Sequence, residues 1–163
     1  MKIQIGQVAP TFTLFDSAKN KVSLEDHTDH NVLLLFFPLA FTNTCTRELC
    51  SVRDNISVYS NVDAEVFGIS VDSLYTLARY KDEQGLNFSL LSDFNREVST
   101  AYDCLYEQFS YGMRGVSKRA AFVIGKDRKI HYAEVLENAS ELPDFHAIQE
   151  ILATHRQQNG VRS

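Results

Sequence analysis

The sequence predicts a single α/β domain, a central mixed sheet flanked by helices with a β-hairpin at its N-terminal end, and three observations point there. Val32–Phe37 and Ala120–Ile124 are unbroken apolar runs, as expected of strands covered on both faces. Between such runs lie stretches whose apolar residues recur every three or four positions, which places crossover helices between central strands. Finally, the 163 residues are 44% hydrophobic and contain no linker rich in Gly, Pro or Ser, so residues 1–163 read as one domain with one substantial core.

Taken in order, Thr11 to Phe15 and Lys21 to Leu24 read as a hairpin around Lys19-Asn20, and the buried strand Val32 to Phe37 follows, stopped by Pro38. Cys45, Leu49, Val52, Ile56 and Tyr59 then mark one face of a helix running to about Ser60, with Thr42, Asn43 and Thr44 all suited to its N-cap. Ala64 to Val71 is a second apolar strand. Asp72-Ser73 caps a helix with Leu74, Leu77, Ala78 and Tyr80 that stops near Gly85. Phe88 to Leu91 is a third strand, and Asn95 to Tyr102 a shorter helix. Beyond a polar, Gly-containing stretch from Tyr106 to Lys118, Ala120–Ile124 and Lys129–Leu136 form a hairpin across Lys126-Asp127-Arg128. A last helix begins at Pro143, a residue suited to the first helical position, and buries Phe145, Ile148, Ile151 and Leu152.

Charge and composition exclude several function classes. A net charge of −5 with no basic run argues against nucleic acid and against anionic membrane surfaces. Residues 1–10 contain neither a basic segment followed by an apolar one nor a cleavage site, and no apolar stretch reaches the ~18 residues of a membrane span. A cytoplasmic protein is expected. Its three cysteines, Cys45, Cys50 and Cys104, then read as reduced thiols rather than a disulfide scaffold. The sequons at Asn55 and Asn138 would have no meaning in that compartment.

Cys45 stands out by position. At the junction of a buried strand and a helix it falls in the first turn, where unpaired backbone N–H groups and the positive end of the helix dipole favour an anion. A thiol with a pKa near 8.5 is only about 3% thiolate at pH 7, whereas one lowered to about 6 is roughly 90% thiolate. Arg47 and Arg53 are near in sequence, but Arg119, at the start of the buried strand Ala120–Ile124, is the stronger partner cation. Sequence position alone favours an ordinary ion pair between Arg119 and a carboxylate. Cys45 and Cys50 do not form a CxxC pair, His27 and His30 are the only two histidines close together, and no zinc site or Cys-His protease pattern emerges.

Pro38, Thr42 and Cys45 match in full the PxxxTxxC signature of the peroxiredoxins, and the chain resembles that family along nearly its whole length. Ile5–Leu14 resembles the family's start, Phe67–Asp72 its second central strand, Leu90–Asp93 its third, and Arg119–Ile124 the segment bearing its invariant arginine. The resemblance implies a thioredoxin-like fold and a thiol-dependent peroxidase without a cofactor or metal. By carry-over, Cys45 is the peroxidatic nucleophile and Thr42 hydrogen-bonds the sulfur and the peroxide. Arg119 stabilises the thiolate and the polarised O–O bond, and Pro38 shields the site from water. Glu48 matches the acid that orients the family's arginines; without the resemblance, a solvated first-turn carboxylate fits that position about as well.

A sulfenic acid on Cys45 must be trapped by another thiol before further oxidation, and Cys50 is the obvious trap. On an intact helix, residues five apart are separated by about 7.5 Å of rise and about 140° of rotation, which puts their Cα atoms roughly 8.7 Å apart. A disulfide needs less than about 7 Å, so a Cys45–Cys50 bond requires the first turns to unwind. The spacing resembles the bacterioferritin comigratory protein branch, while Cys45–Cys50 as written and Pro143-Asp144-Phe145 resemble the alkyl hydroperoxide reductase E branch, whose members often lack a cysteine here. A one-cysteine peroxidase resolved by an external thiol therefore stays open, as does a thiol redox sensor or holdase. The resemblance also implies thioredoxin as reductant and a homodimer near the active-site loops, to which Phe41 could contribute. Cys104 has no matching role and reads as core. Two turns depart from the family, with Asn20 at one expected glycine position and no glycine between Lys126 and Lys129 at the other.

Overall fold

The computed structural model describes residues 3–161, and the side chains of residues 3–155. Seven strands form one mixed sheet: β1 Thr13–Asp16, β2 Lys21–Ser23, β3 Asn31–Phe36, β4 Ala64–Ser70, β5 Ser89–Ser92, β6 Arg119–Ile124 and β7 Ile130–Leu136. Their spatial order is β2-β1-β5-β4-β3-β6-β7. β3, β4 and β5 are parallel, while β6 and β7 run antiparallel beside β3 and the β1–β2 hairpin closes the other edge. Parallel neighbours need crossovers, and these are supplied by α1 Asn43–Asp54 with α2 Ile56–Asn61, and by α3 Leu74–Gln84; α4 Glu97–Ala101 and α5 Phe145–Val161 complete the helices.

The strand period of two sorts the core into halves. Leu33, Leu35 and Phe37 point to one face, where Leu49 and Val52 of α1, Leu77 and Tyr80 of α3, and Ile148 and Leu152 of α5 cover them. Val32, Leu34 and Phe36 point to the other, under Phe12, Val22, Val98 and Tyr102. Every residue of β3 and β6 is buried, as expected of central strands read as continuous apolar runs.

Four boundaries differ from the sequence reading, each for a local reason. The helix expected from Cys45 to Ser60 breaks at Asn55, whose side-chain amide donates to the Ser51 carbonyl at 2.8 Å while its backbone N–H turns to Val52. That is the competition by which Asn ends helices. The helix expected from Asn95 starts at Glu97, because Arg96 is left-handed (φ 65°) and both Asp93 carboxylate oxygens accept from Val98 and Ser99. The last helix starts at Phe145 rather than Pro143, with the Asp144 carboxylate accepting from the Ala147 N–H. Asp72 does not cap α3; Ser73 does, accepting from Thr76 at 3.1 Å, and Gly85 ends the helix in the left-handed region as expected. In the two turns expected to carry glycine, the left-handed residues are Lys19 (φ 71°), one position before Asn20, and Arg128 (φ 66°).

Candidate active site

The segment from Phe37 to Thr42 carries the chain from β3 into α1 and is pinned at several points. Phe37 N–H donates to the Ile69 carbonyl, and Ala40 N–H donates to Asp72 Oδ2 at 2.8 Å. Asp72, at the end of β4, is thus a positioning residue for this loop, a role its sequence position beside a helix cap concealed. Phe41 adopts φ 68°, a left-handed conformation that costs an aromatic residue energy and sharpens the turn into α1. Its ring is half exposed and lies 4.9 Å from Tyr80, so it belongs to the surface and not the core.

Thr42 is the N-cap of α1 by backbone geometry, and Cys45 falls in the first turn. Cys45 is buried, yet it borders a pocket of about 200 Å³ shared with Pro38, Thr42, Asn43, Thr44, Phe109, Arg119, Ala139 and Ser140. Across that pocket Arg119 reaches from the first residue of β6. Its Nη2 donates to Cys45 Sγ at 3.3 Å and to the Ala139 carbonyl at 2.8 Å, and its Nη1 donates to Glu48 Oε1 at 2.6 Å. Arg119 therefore meets both the thiol and a carboxylate, so the two readings of its sequence position hold together. The plain reading of Glu48 as solvated does not: it is fully buried, and burial pushes its carboxyl up to about 7 although Arg119 pulls it down.

The remaining sequence candidates are placed less directly. The Thr42 hydroxyl donates to the Leu39 carbonyl at 2.8 Å, so it lines the pocket without bonding the sulfur. Cys50, half-buried, lies on the same unbroken helix as Cys45 but faces α3, with Sγ 3.6 Å from Gln84 Oε1. Cys104 is buried on the opposite face of the sheet, where burial pushes its thiol up to about 12. Among the described residues no cluster of His, Cys, Asp or Glu could hold a metal, and no helix is long and apolar enough to cross a membrane.

Sequence reasoning missed Phe109, Ala139 and Ser140. The Ala139 contribution is a backbone carbonyl in a turn where Asn138 Oδ1 accepts from both the N–H and the hydroxyl of Ser140. Only the Asx-turn potential of Asn138 could have signalled it.

A model of the AhpC/TSA family matches residues 5–133. A Mycobacterium tuberculosis protein described as a peroxiredoxin is 43% identical over 131 residues, covering 79% of this chain and 83% of its own. Alkyl hydroperoxide reductase E of the same organism is 38% identical over 136 residues, covering 82% and 86%. The chain belongs to the AhpC/TSA family of peroxiredoxins. Its structure matches that of peroxidoxin BcpB from Mycobacterium tuberculosis with a TM-score of 0.80 at 29% identity, over 95% of this chain and 97% of the other. The thioredoxin-like fold and the bacterioferritin comigratory protein/alkyl hydroperoxide reductase E branch follow, and the protein is a thiol-dependent peroxidase. A peroxiredoxin takes a peroxide as substrate and a thiol as reductant.

Proposed function

We propose that Cys45 is the nucleophile of a peroxidase that reduces hydrogen peroxide and organic hydroperoxides. The observation that carries this reading is the Arg119 guanidinium, buried and 3.3 Å from Cys45 Sγ at the wall of a solvent-reaching pocket. The thiolate attacks one oxygen of the peroxide in line with the O–O bond. That bond breaks, and negative charge builds on the leaving oxygen, which takes a proton to leave as water or an alcohol. Cys45 becomes a sulfenic acid. The Arg119 N–H groups and the free N–H groups of the first turn of α1 face the region where that charge develops, which is the arrangement that stabilises it most. The Thr42 hydroxyl is within the same pocket and needs only a rotation to serve the peroxide. Pro38, which lines the same pocket, is the proposed shield against water.

Cys50 is the proposed resolving thiol: it attacks the sulfenic sulfur, water leaves, and a Cys45–Cys50 disulfide forms. Intact α1 keeps the two thiols on different faces, one toward β6 and one toward α3, so its first turns must unwind. Thioredoxin is the proposed reductant of that disulfide. A homodimer joined beside the loop bearing Phe41, and a cytoplasmic location, complete the reading.

Peroxide consumption followed with thioredoxin, glutathione and small thiols, together with a non-reducing peptide mass map, tests it. The expected result is fastest turnover with thioredoxin and one intramolecular Cys45–Cys50 bond. An external thiol found on Cys45, with Cys50 free, would replace this route by the one-cysteine mechanism.

A further inference from the structure

Resting on the assignment of Cys45 as nucleophile, we infer that Cys45 and Glu48 share a single proton around Arg119, and that Glu48 holds it while Cys45 is thiolate and releases it when Cys45 is oxidised. The structure places two acids against one buried cation. Arg119 touches Glu48 Oε1 at 2.6 Å and Cys45 Sγ at 3.3 Å, and all three groups are at most 1% exposed. Among the described residues Arg119 is the one cation within ion-pair distance of Glu48.

With both acids ionised, the buried group would carry one uncompensated negative charge, an expensive arrangement away from water. Glu48 bears the sign of that cost: its Oε2 is buried with no hydrogen-bond donor among the described residues, a poorer setting for a carboxylate oxygen than for a neutral acid. Among the described residues, the phenols of Tyr59 in α2 and Tyr80 in α3 also sense the Glu48 carboxyl, and both are pushed up by burial and so neutral at ordinary pH. Neither supplies a second positive charge. The carboxyl raised to about 7 places its own titration in the working range.

The balance over the peroxide step is then closed. Cys45–S⁻, ROOH and Glu48–COOH give Cys45–SOH, ROH and Glu48–COO⁻, the O–O bond breaking as the S–O bond forms. The buried group is neutral before and after. Glu48 is not among the residues lining the pocket and touches neither the peroxide nor the leaving oxygen, so the proton it gives up and the one that oxygen takes are balanced by exchange with solvent; it acts as a reservoir that keeps the charge around Arg119 constant.

Two measurements on the whole protein test this. In the first, the rate of Cys45 alkylation by iodoacetamide is followed against pH by peptide mass. A shared proton gives the wild type a two-step profile with a plateau, since sulfur and carboxyl compete for one cation. Glu48→Gln should give a single step completed at lower pH. A Glu48 that is ionised throughout and merely orients Arg119 gives a single step in the wild type as well, and that result would overturn the proposal. In the second, infrared difference spectra of the wild type before and after one equivalent of peroxide should lose a protonated-carboxyl band and gain a carboxylate band, even if Glu48→Gln does not fold. A spectrum without that exchange, in a sample whose Cys45 has been oxidised, would also overturn it. Absence of Cys45 oxidation by peroxide would instead remove the nucleophile assignment.

Discussion

Cys45 and Cys104 are both almost fully buried, at 1% and 0% exposure, on opposite faces of the same sheet. Their surroundings differ in sign. Cys104 lies in an apolar layer with Tyr102 and Phe122, and its thiol is pushed up to about 12, chiefly by burial and further by the carboxylates of Asp93 and Asp103, against downward pulls from Ser117 and Lys118. Cys45 lies under a guanidinium and at the N-terminal turn of a twelve-residue helix, with a pocket leading to solvent. Burial by itself makes a thiol inert; burial beside fixed positive charge gives it a use. The same core thus holds one cysteine in an apolar layer and another under a guanidinium, and the second is the proposed nucleophile.

The largest effect that could break this contrast is loss of the sulfur itself. Cys45→Ser should reduce peroxide consumption with thioredoxin and its reductase to the uncatalysed background, whereas Cys104→Ala should turn over at the wild-type rate. Equal losses in the two variants would show that the surroundings of the thiols do not decide their roles.

Arg119→Ala removes the difference in charge while leaving both thiols in place. The peroxide step should slow by about 10²–10³-fold, as expected for a lost donor to developing charge. The fold should also lose about 1–3 kcal/mol, because buried Glu48 and the Ala139 carbonyl lose their hydrogen-bond donor. Stopped-flow oxidation and urea unfolding read the two quantities separately, and an unchanged oxidation rate would take Arg119 out of the site.

A smaller effect concerns pH. The folded Glu48 carboxyl lies near 7 and above its ordinary value of 4.5, so between those values the folded state binds more protons than the unfolded one. Stability contributed at this position is greatest below about pH 4.5 and falls as pH rises to about 7, by an amount on the order of 3 kcal/mol. Glu48→Gln should flatten that fall in urea unfolding curves taken across the interval; a slope equal to wild type would mean that Glu48 is ionised throughout.

The smallest expected effect lies on the far side of α1. Tyr80 OH is 2.9 Å from Thr46 Oγ1 and so ties the first turn of α1 to α3. Tyr80→Phe removes that tie at a cost of about 0.5–1.5 kcal/mol. If the turn must unwind for Cys50 to act, the variant should form disulfide faster and accumulate less sulfinic acid under excess peroxide, as read by mass spectrometry. A slower disulfide would mean that the Tyr80 tie assists resolution rather than restraining it.

Much of this was legible in the residues. Central strands announced themselves as continuous apolar runs, and the Cys45 helix by its apolar spacing, because burial on two faces or one leaves a direct mark on composition. Cys45 and Arg119 stood out by position, at a strand–helix junction and at the head of a buried strand, whereas Pro38 and Thr42 were singled out by resemblance to the family signature. The structure brings all four around one pocket. Glu48 was ambiguous since a first-turn carboxylate looks the same in water or in a core until the opposite element is placed. Asn55, Arg96 and Asp144 shifted boundaries through single side-chain or backbone choices that a periodicity cannot register. Phe109 and Ala139 come from loops distant in sequence, and the role of Asp72 as a tie for Ala40 depends on β4 ending beside β3.

The guanidinium at the centre of the site is aimed partly by the carbonyl of Ala139. That oxygen belongs to the main chain, so any amino acid at position 139 that keeps the turn would present it equally well. A mutational scan would score the position as indifferent, and sequence drift there would look like freedom. Exposing its contribution calls for a change in the peptide group or in the length of the turn, and engineering of this enzyme's loops should preserve the path of residues 138–140 rather than their identities.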